Sequence, residues 1–199
     1  MKRIVAILLL LICLCGCAPR RHYCSNSINN KITEEKSTEE ILEYFKKERY
    51  KAFIKKHAKY LHTVKTDEIL DNIYKYGKDD YDREIMLAMF AKESKFYERA
   101  DSFLGARYGR GIGQVSEIGL KDYNEKNNTE YKPSDLYDID INIKIAYWIF
   151  HHNELYGVVG RTEKIIAYNR GAEKVKRERD NPNLVYYYGV MELYNEIKS

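Results

Sequence analysis

Cysteine is scarce in this chain of 199 residues, and its placement excludes more than it offers. Of the four present, Cys13, Cys15 and Cys17 crowd the N-terminal segment and leave Cys24 alone in the remainder. One thiol can build neither an intrachain disulfide nor a metal cluster, so the fold must rest on its hydrophobic core. A dominant charge is lacking as well. The formal balance is +4, and setting aside Lys2 and Arg3 leaves 32 basic against 30 acidic residues, or +2. No dense basic run with interleaved aromatics occurs, which excludes a typical nucleic-acid binder. The nearest approach, Lys174 to Arg179, reads as a solvated helix end or loop. His57 and His62 have no carboxylate at ligand spacing, and His151 and His152 have no specified nucleophile partner, so neither a metal nor a cofactor is expected.

Long apolar runs are missing except at the start. Lys2 and Arg3 precede the apolar stretch from Ile4 to Cys15, which is too short to cross a bilayer and reads as a secretory signal over residues 1–16. Leu14-Cys15-Gly16-Cys17 resembles a bacterial lipobox, which implies lipidation at Cys17; an ordinary signal peptide cleaved nearby is the alternative. Residues 17–36 are polar and nearly free of large apolar side chains, a composition that suits a flexible tether. Ser37-Thr38-Glu39-Glu40 has the form of a capping box and opens an N-terminal helical extension over 37–64. Its apolar stripe is Ile41, Tyr44, Phe45 and Ala52, interrupted by Glu48, which predicts a helix running to about Leu61 and only partly covered by the body.

What remains, residues 65–199, is long enough for one domain with a sizeable core. Thr66 can cap a helix over 67–76, with Ile69, Leu70, Ile73 and Tyr74 facing inward and Gly77 as its stop. In the next helix Met86, Met89, Phe90 and Glu93 recur at the spacing of one helical face. A carboxylate that continues an apolar stripe, beside Phe90 and Phe96 and close to the negative end of its helix, should hold its proton more tightly than usual. Such a group can protonate a leaving oxygen. Gly105, Gly109 and Gly111 predict a folded-back loop over 97–111 rather than helix or strand. Helix should resume over 115–123, a turn-rich loop should cover 124–133, and Asp140 should cap a helix whose stripe is Ile141, Ile145, Trp148 and Ile149, with Trp148 in the core. A further helix over 162–169 should carry Ile165 and Ile166 inward, with Gly171 permitting a sharp exit.

Glu93-Ser94-Lys95-Phe96, Gly111-Ile112-Gly113-Gln114 and Ala167-Tyr168-Asn169-Arg170-Gly171 come in the order of the Glu-Ser, Gly-x-x-Gln and Ala-Tyr-Asn motifs of the soluble lytic transglycosylase family, which the chain resembles from about Thr66 to Ile197. The resemblance implies an all-α, lysozyme-like fold, helices dominant within an α+β superfamily. It implies Glu93 as the single general acid and base, with Ser94, Gln114, Tyr168, Asn169 and Tyr186 as substrate-binding residues. Tyr186 is favoured over Tyr187 and Tyr188 because the family places a tyrosine four residues before a valine, here Val190. The chain departs from the family in having Gly113 where methionine is usual, and in a longer Arg107-Tyr108-Gly109-Arg110 segment; Arg107 and Arg110 could meet acidic substrate groups or simply be solvated.

The implied reaction is cleavage of the MurNAc-β-1,4-GlcNAc bond of peptidoglycan with formation of 1,6-anhydromuramic acid ends. A hydrolytic muramidase like the goose-type lysozymes, or a non-catalytic wall-binding lipoprotein, are the alternatives. Hydrolysis by the usual routes needs a second carboxylate, and Asp101 is the nearest candidate, though a loop residue is its simpler reading. The expected partners are peptidoglycan glycan strands and, through Cys17, a bacterial membrane in the cell envelope facing the periplasm or exterior; no nucleic acid is expected, and the protein should be a monomer.

Overall fold

The computed structural model describes residues 37–104 and 107–199, with the side chains of 103–107 left aside. The expectations for the signal over 1–16, the tether over 17–36, Cys17 and Cys24 lie outside the described residues. Helices dominate, with one small sheet. Helix α1 (Thr38–His57) opens with the expected capping box, Ser37 and Glu40 satisfying each other's backbone N–H groups. Its buried residues are Tyr50, Phe53 and Ile54, on the face opposite the predicted stripe. Ile41, Leu42, Tyr44 and Phe45 are instead exposed. The reason is that the N-terminal half meets the body through polar side chains, Lys46 pairing with Asp80 at 2.6 Å, whereas the apolar packing falls in the C-terminal half, where Tyr50 and Arg49 also reach the buried carboxylate of Glu84, each at 3.1 Å. The helix ends at His57, short of Leu61, and His57 pairs with Glu196 at 2.8 Å.

Helix α2 (Thr66–Tyr76) starts from Lys65 without a side-chain cap, and Gly77 ends it by donating to the Ile73 carbonyl. Helix α3 (Asp80–Glu93) follows, capped by Asp79. The predicted single stripe understates its burial. Every residue from Glu84 to Ala91 is buried, because α1, α2 and the last helix surround it.

The glycine-rich stretch departs from the expectation of a loop. It forms an antiparallel sheet of β1 (Asp101–Leu104), β2 (Arg107–Arg110) and β3 (Val115–Ser116), in the order β1-β2-β3 with Asp101 opposite Arg110 and Gly109 opposite Ser116. Glycine density concealed these strands because Gly109 allows the backbone of Gln114 to come close; a Cβ there would lie 2.9 Å from the Gln114 carbonyl oxygen.

Helix α4 (Glu117–Asn127) is capped by Ser116 and ends in left-handed Asn128. After a 3₁₀ turn (Pro133–Tyr137), helix α5 (Ile139–His152) is capped by Asp138, not Asp140. Asp140 lies within the first turn, held by Lys75 at 2.6 Å and Tyr76 at 2.8 Å. The buried face of α5 is Ile139, Asn142, Ile143, Ala146, Tyr147 and Phe150, joined by Ile145. Ile141, Trp148 and Ile149 are therefore half-buried, and Trp148 is not core. His151 pairs with the buried Asp82 at 2.8 Å, tying α5 to α3. A second 3₁₀ turn (Asn153–Tyr156) leads to α6 (Arg161–Arg170), α7 (Ala172–Arg177) and the final helix α8 (Val185–Lys198). Gly171, at φ +82°, makes the sharp exit between α6 and α7. One core cluster takes side chains from α1 to α6 and α8, with α8 lying along α3. Helices dominate the observed architecture, as expected, and among the described residues no helix is long and apolar enough to cross a membrane.

Candidate active site

Glu93 is the last residue of α3, and the chain turns sharply after it. Ser94 caps the helix, its N–H bonding to the carbonyls of Ala91 and Phe90 and its hydroxyl donating to the Phe90 carbonyl at 3.3 Å. That hydroxyl is buried at the helix end and does not line the cleft. Lys95 and Phe96 then take left-handed φ values of 53° and 56°, a conformation that non-glycine residues adopt at some cost. The turn is held from α1 and the segment just after it. Phe96 is buried edge-on against Phe53, with ring centroids 6.1 Å apart, and the Lys59 N–H donates to the Lys95 carbonyl at 2.8 Å.

The half-buried carboxyl of Glu93 faces a cleft of about 860 Å³. From α8 the Tyr186 hydroxyl donates to Glu93 Oε1 at 2.6 Å, and from the end of α6 Asn169 hydrogen-bonds the same carboxyl. Burial pushes the Glu93 carboxyl above its usual value, and the hydrogen bonds from Tyr186 and Asn169, with the nearby Lys92 charge, oppose that push without cancelling it. Tyr186 is itself raised well above the ordinary phenol value, first by burial and then by the Glu93 charge, so it stays a donor.

The other motif residues sit around this pair. Gln114 lines the cleft at a left-handed φ of 49°, its Nε2 donating to the carbonyls of Gly111 at 2.9 Å and Ala100 at 3.0 Å. Both donor hydrogens of the amide brace the wall, which leaves its oxygen for the cleft. Tyr168 also lines the cleft, but its hydroxyl donates to the Gly113 carbonyl at 2.6 Å. The structure thus brings Glu93, Gln114, Tyr168, Asn169 and Tyr186 together and sets the Ser94 hydroxyl apart. Tyr187 packs beside the core and Tyr188 is exposed.

Further along, the cleft is lined by residues that the sequence did not assign to the site, among them Ile149, expected on a core-facing stripe, His152 and Tyr156. Trp148 joins them, its ring stacked on His152 at 3.9 Å between centroids. The only sequence signal for this was the aromatic and histidine content at the end of one helix. Asp101 stands apart from the cleft lining, its two oxygens sharing the single donor of the Tyr137 hydroxyl at 2.7 and 2.9 Å. Arg110 pairs with Glu117 at 2.9 Å. Among the described residues no cluster of three His, Cys, Asp or Glu side chains is placed to hold a metal.

Chemically, a proton-retaining carboxyl in a half-buried cleft, held by a phenol and an amide, can donate a proton to an ether oxygen and take one back from a hydroxyl. The family profile described as Transglycosylase SLT domain matches residues 72–185, more than half of the chain and all three motifs. No curated protein matches the sequence.

Proposed function

The chain belongs to the transglycosylase SLT domain family, whose members act on peptidoglycan, and from that premise we propose that it is a lytic transglycosylase in which Glu93 alone serves as acid and then base. Glu93 protonates the oxygen of the MurNAc-β-1,4-GlcNAc bond, and the bond to that oxygen breaks as an oxocarbenium develops. The N-acetyl carbonyl of the same sugar shares the positive charge. Glu93, now a carboxylate, removes the proton from the C6 hydroxyl as that oxygen closes on the anomeric carbon. The product is a 1,6-anhydromuramic acid end, no water is consumed, and the reaction is that of a lyase.

The observation that carries this reading is the bond from Tyr186 to Glu93 Oε1 at 2.6 Å, made with Asn169 at the same carboxyl. Two neutral donors on one carboxyl favour its charged form while burial favours its neutral form, and a group balanced in this way can give and regain a proton within one cycle. In this reading Asn169 and the Gln114 amide orient the bound glycan, and Ser94 fixes the end of the helix that carries the acid. Preorganisation of this kind supplies transition-state stabilisation without a second carboxylate.

The proposal extends to the envelope. A signal over 1–16 and a lipid on Cys17, with residues 17–36 as tether, would hold a monomeric domain on a bacterial membrane facing the periplasm or exterior; Cys17→Ala should move the protein from the membrane to the soluble fraction. The enzymatic part is tested by zymography on peptidoglycan. Wild type should clear the gel and Glu93→Gln should not, with a loss of about 10² to 10⁴ typical of a missing general acid. Clearing by Glu93→Gln at the wild-type rate would overturn it.

A further inference from the structure

The turn from Gly111 to Gln114 joins the paired strands β2 and β3 and brings Gln114 into one wall of the cleft. Gly111 has φ +71° and Gln114 φ +49°, and the Gln114 N–H closes the turn on the Gly111 carbonyl at 3.1 Å. Gly113 lies between them, with both of its backbone groups bound by side chains from other helices. Its N–H donates to Asn142 Oδ1 at 2.7 Å, from α5. Its carbonyl accepts from the Tyr168 hydroxyl at 2.6 Å, from α6.

Asn142 is 1 % exposed, and its amide is used in full: beyond the Gly113 contact, Nδ2 donates to the carbonyls of Arg110 and Leu136, each at 2.8 Å. One acceptor and two donors meet three backbone groups, which fixes the amide in one orientation. Aspartate would turn a charge on two carbonyls, and alanine would leave a buried N–H and two carbonyls short of partners. The side chain does not line the cleft.

We propose that Asn142 and Tyr168 are positioning residues, clamping the two peptide groups that flank Gly113 so that the Gln114 wall stands at a fixed place across the cleft from Glu93. The proposal rests on the reading of Glu93 given above and departs from the role that the family resemblance implies for Tyr168. Tyr168 reaches the reaction through the backbone of the opposite wall, and the sequence neighbour that touches the acid is Asn169. The link therefore runs from α5, through the two peptide groups that flank Gly113, to the helix that ends beside Glu93. Because neither side chain donates to Glu93, loss of either should disturb geometry and leave the acid's titration in place.

The test uses the full chain purified in detergent, with turnover of soluble glycan oligomers measured across pH at a temperature where circular dichroism shows each variant folded. Asn142→Ala and Tyr168→Phe should each lower kcat roughly tenfold or more, as expected for a displaced wall, with the limb of the pH profile that belongs to Glu93 unmoved. The double variant should lose little beyond the worse single one, because both hold the same residue of the wall, Gly113. Wild-type kcat in the folded single variants, with only a lower Tm, would overturn the clamp, as would losses that multiply in the double variant. If Asn142→Ala does not fold, Tyr168→Phe decides alone, since it removes one hydroxyl and keeps the ring. Glu93→Gln separates the two levels. Full turnover there would sink the reading of the acid, whereas an inactive Glu93→Gln beside clamp variants of wild-type kcat would sink the clamp alone.

Discussion

The Tyr186 hydroxyl donates to Glu93 Oε1 at 2.6 Å, joining the first turn of the last helix to the end of the helix that carries the acid. That bond favours the carboxylate, so its removal should let burial act with less opposition. Tyr186→Phe should therefore raise the Glu93 pKa further, since a hydrogen bond to the charged form is lost. The basic limb of the pH–rate profile should move to higher pH while the maximal rate falls. An unmoved limb would place the hydroxyl outside the titration of Glu93.

Glu93 should cost stability at neutral pH. Burial holds its carboxyl above the ordinary value of 4.5, so between the ordinary and the raised value the folded chain keeps a proton that the unfolded chain has released. Its contribution to stability is complete below the unfolded value and is lost as pH rises through the folded one. Glutamine does not titrate. Glu93→Gln should have a higher Tm than wild type at pH 7, and the difference should shrink towards zero below about pH 4. Thermal unfolding of both proteins across that range checks the sign.

Gly113 is set by space and not by backbone conformation, since its φ is not left-handed. A Cβ there would lie 2.8 Å from the Tyr168 hydroxyl and 2.9 Å from Ala146 Cβ. The family resemblance leads one to expect methionine at this position, but here the Tyr168 hydroxyl fills the place. Gly113→Met should destabilise by about 1 to 3 kcal/mol, as overpacking does, and should lower turnover as well. Denaturant unfolding and glycan turnover read the two effects; a neutral outcome in both would show that the wall can move aside.

Helix α1 precedes the residues matched by the family profile, and yet it carries Phe53 against Phe96 in the left-handed turn after Glu93. Phe53→Ala should cost about 3 to 5 kcal/mol and Ile54→Ala about 2 to 5. Phe53→Ala should also reduce turnover in the fraction that stays folded, whereas Ile54→Ala should act on stability alone. Urea unfolding with activity normalised to folded protein distinguishes them.

Much of this was legible in the sequence where local chemistry decides the outcome. The Ser37 and Glu40 capping box, the stop at Gly77, the exit at Gly171 and the position of Glu93 at a helix end all follow from short-range rules. The motifs also drew Glu93, Gln114, Asn169 and Tyr186 to one place. Faces were harder to read. The buried side of α1 carries Tyr50, Phe53 and Ile54 because Glu84 and Phe96 wait there, and those partners are 34 and 43 residues away in sequence from Tyr50 and Phe53. The strands were hidden by glycines whose purpose is close backbone approach. Asn142 left a signal that went unused: a short polar amide in the middle of an isoleucine-rich buried face asks what backbone it serves.

The most direct test is digestion of purified peptidoglycan by the wild-type enzyme in isotopically labelled water, followed by mass analysis of the released muropeptides. The expected products end in anhydromuramic acid, are one water lighter than those of a hydrolase, and carry no label from the solvent at the new terminus. Reducing ends bearing the labelled oxygen would show that water, and not the sugar's own C6 hydroxyl, attacks the anomeric carbon, and would contradict a single glutamic acid acting on both sides of the step.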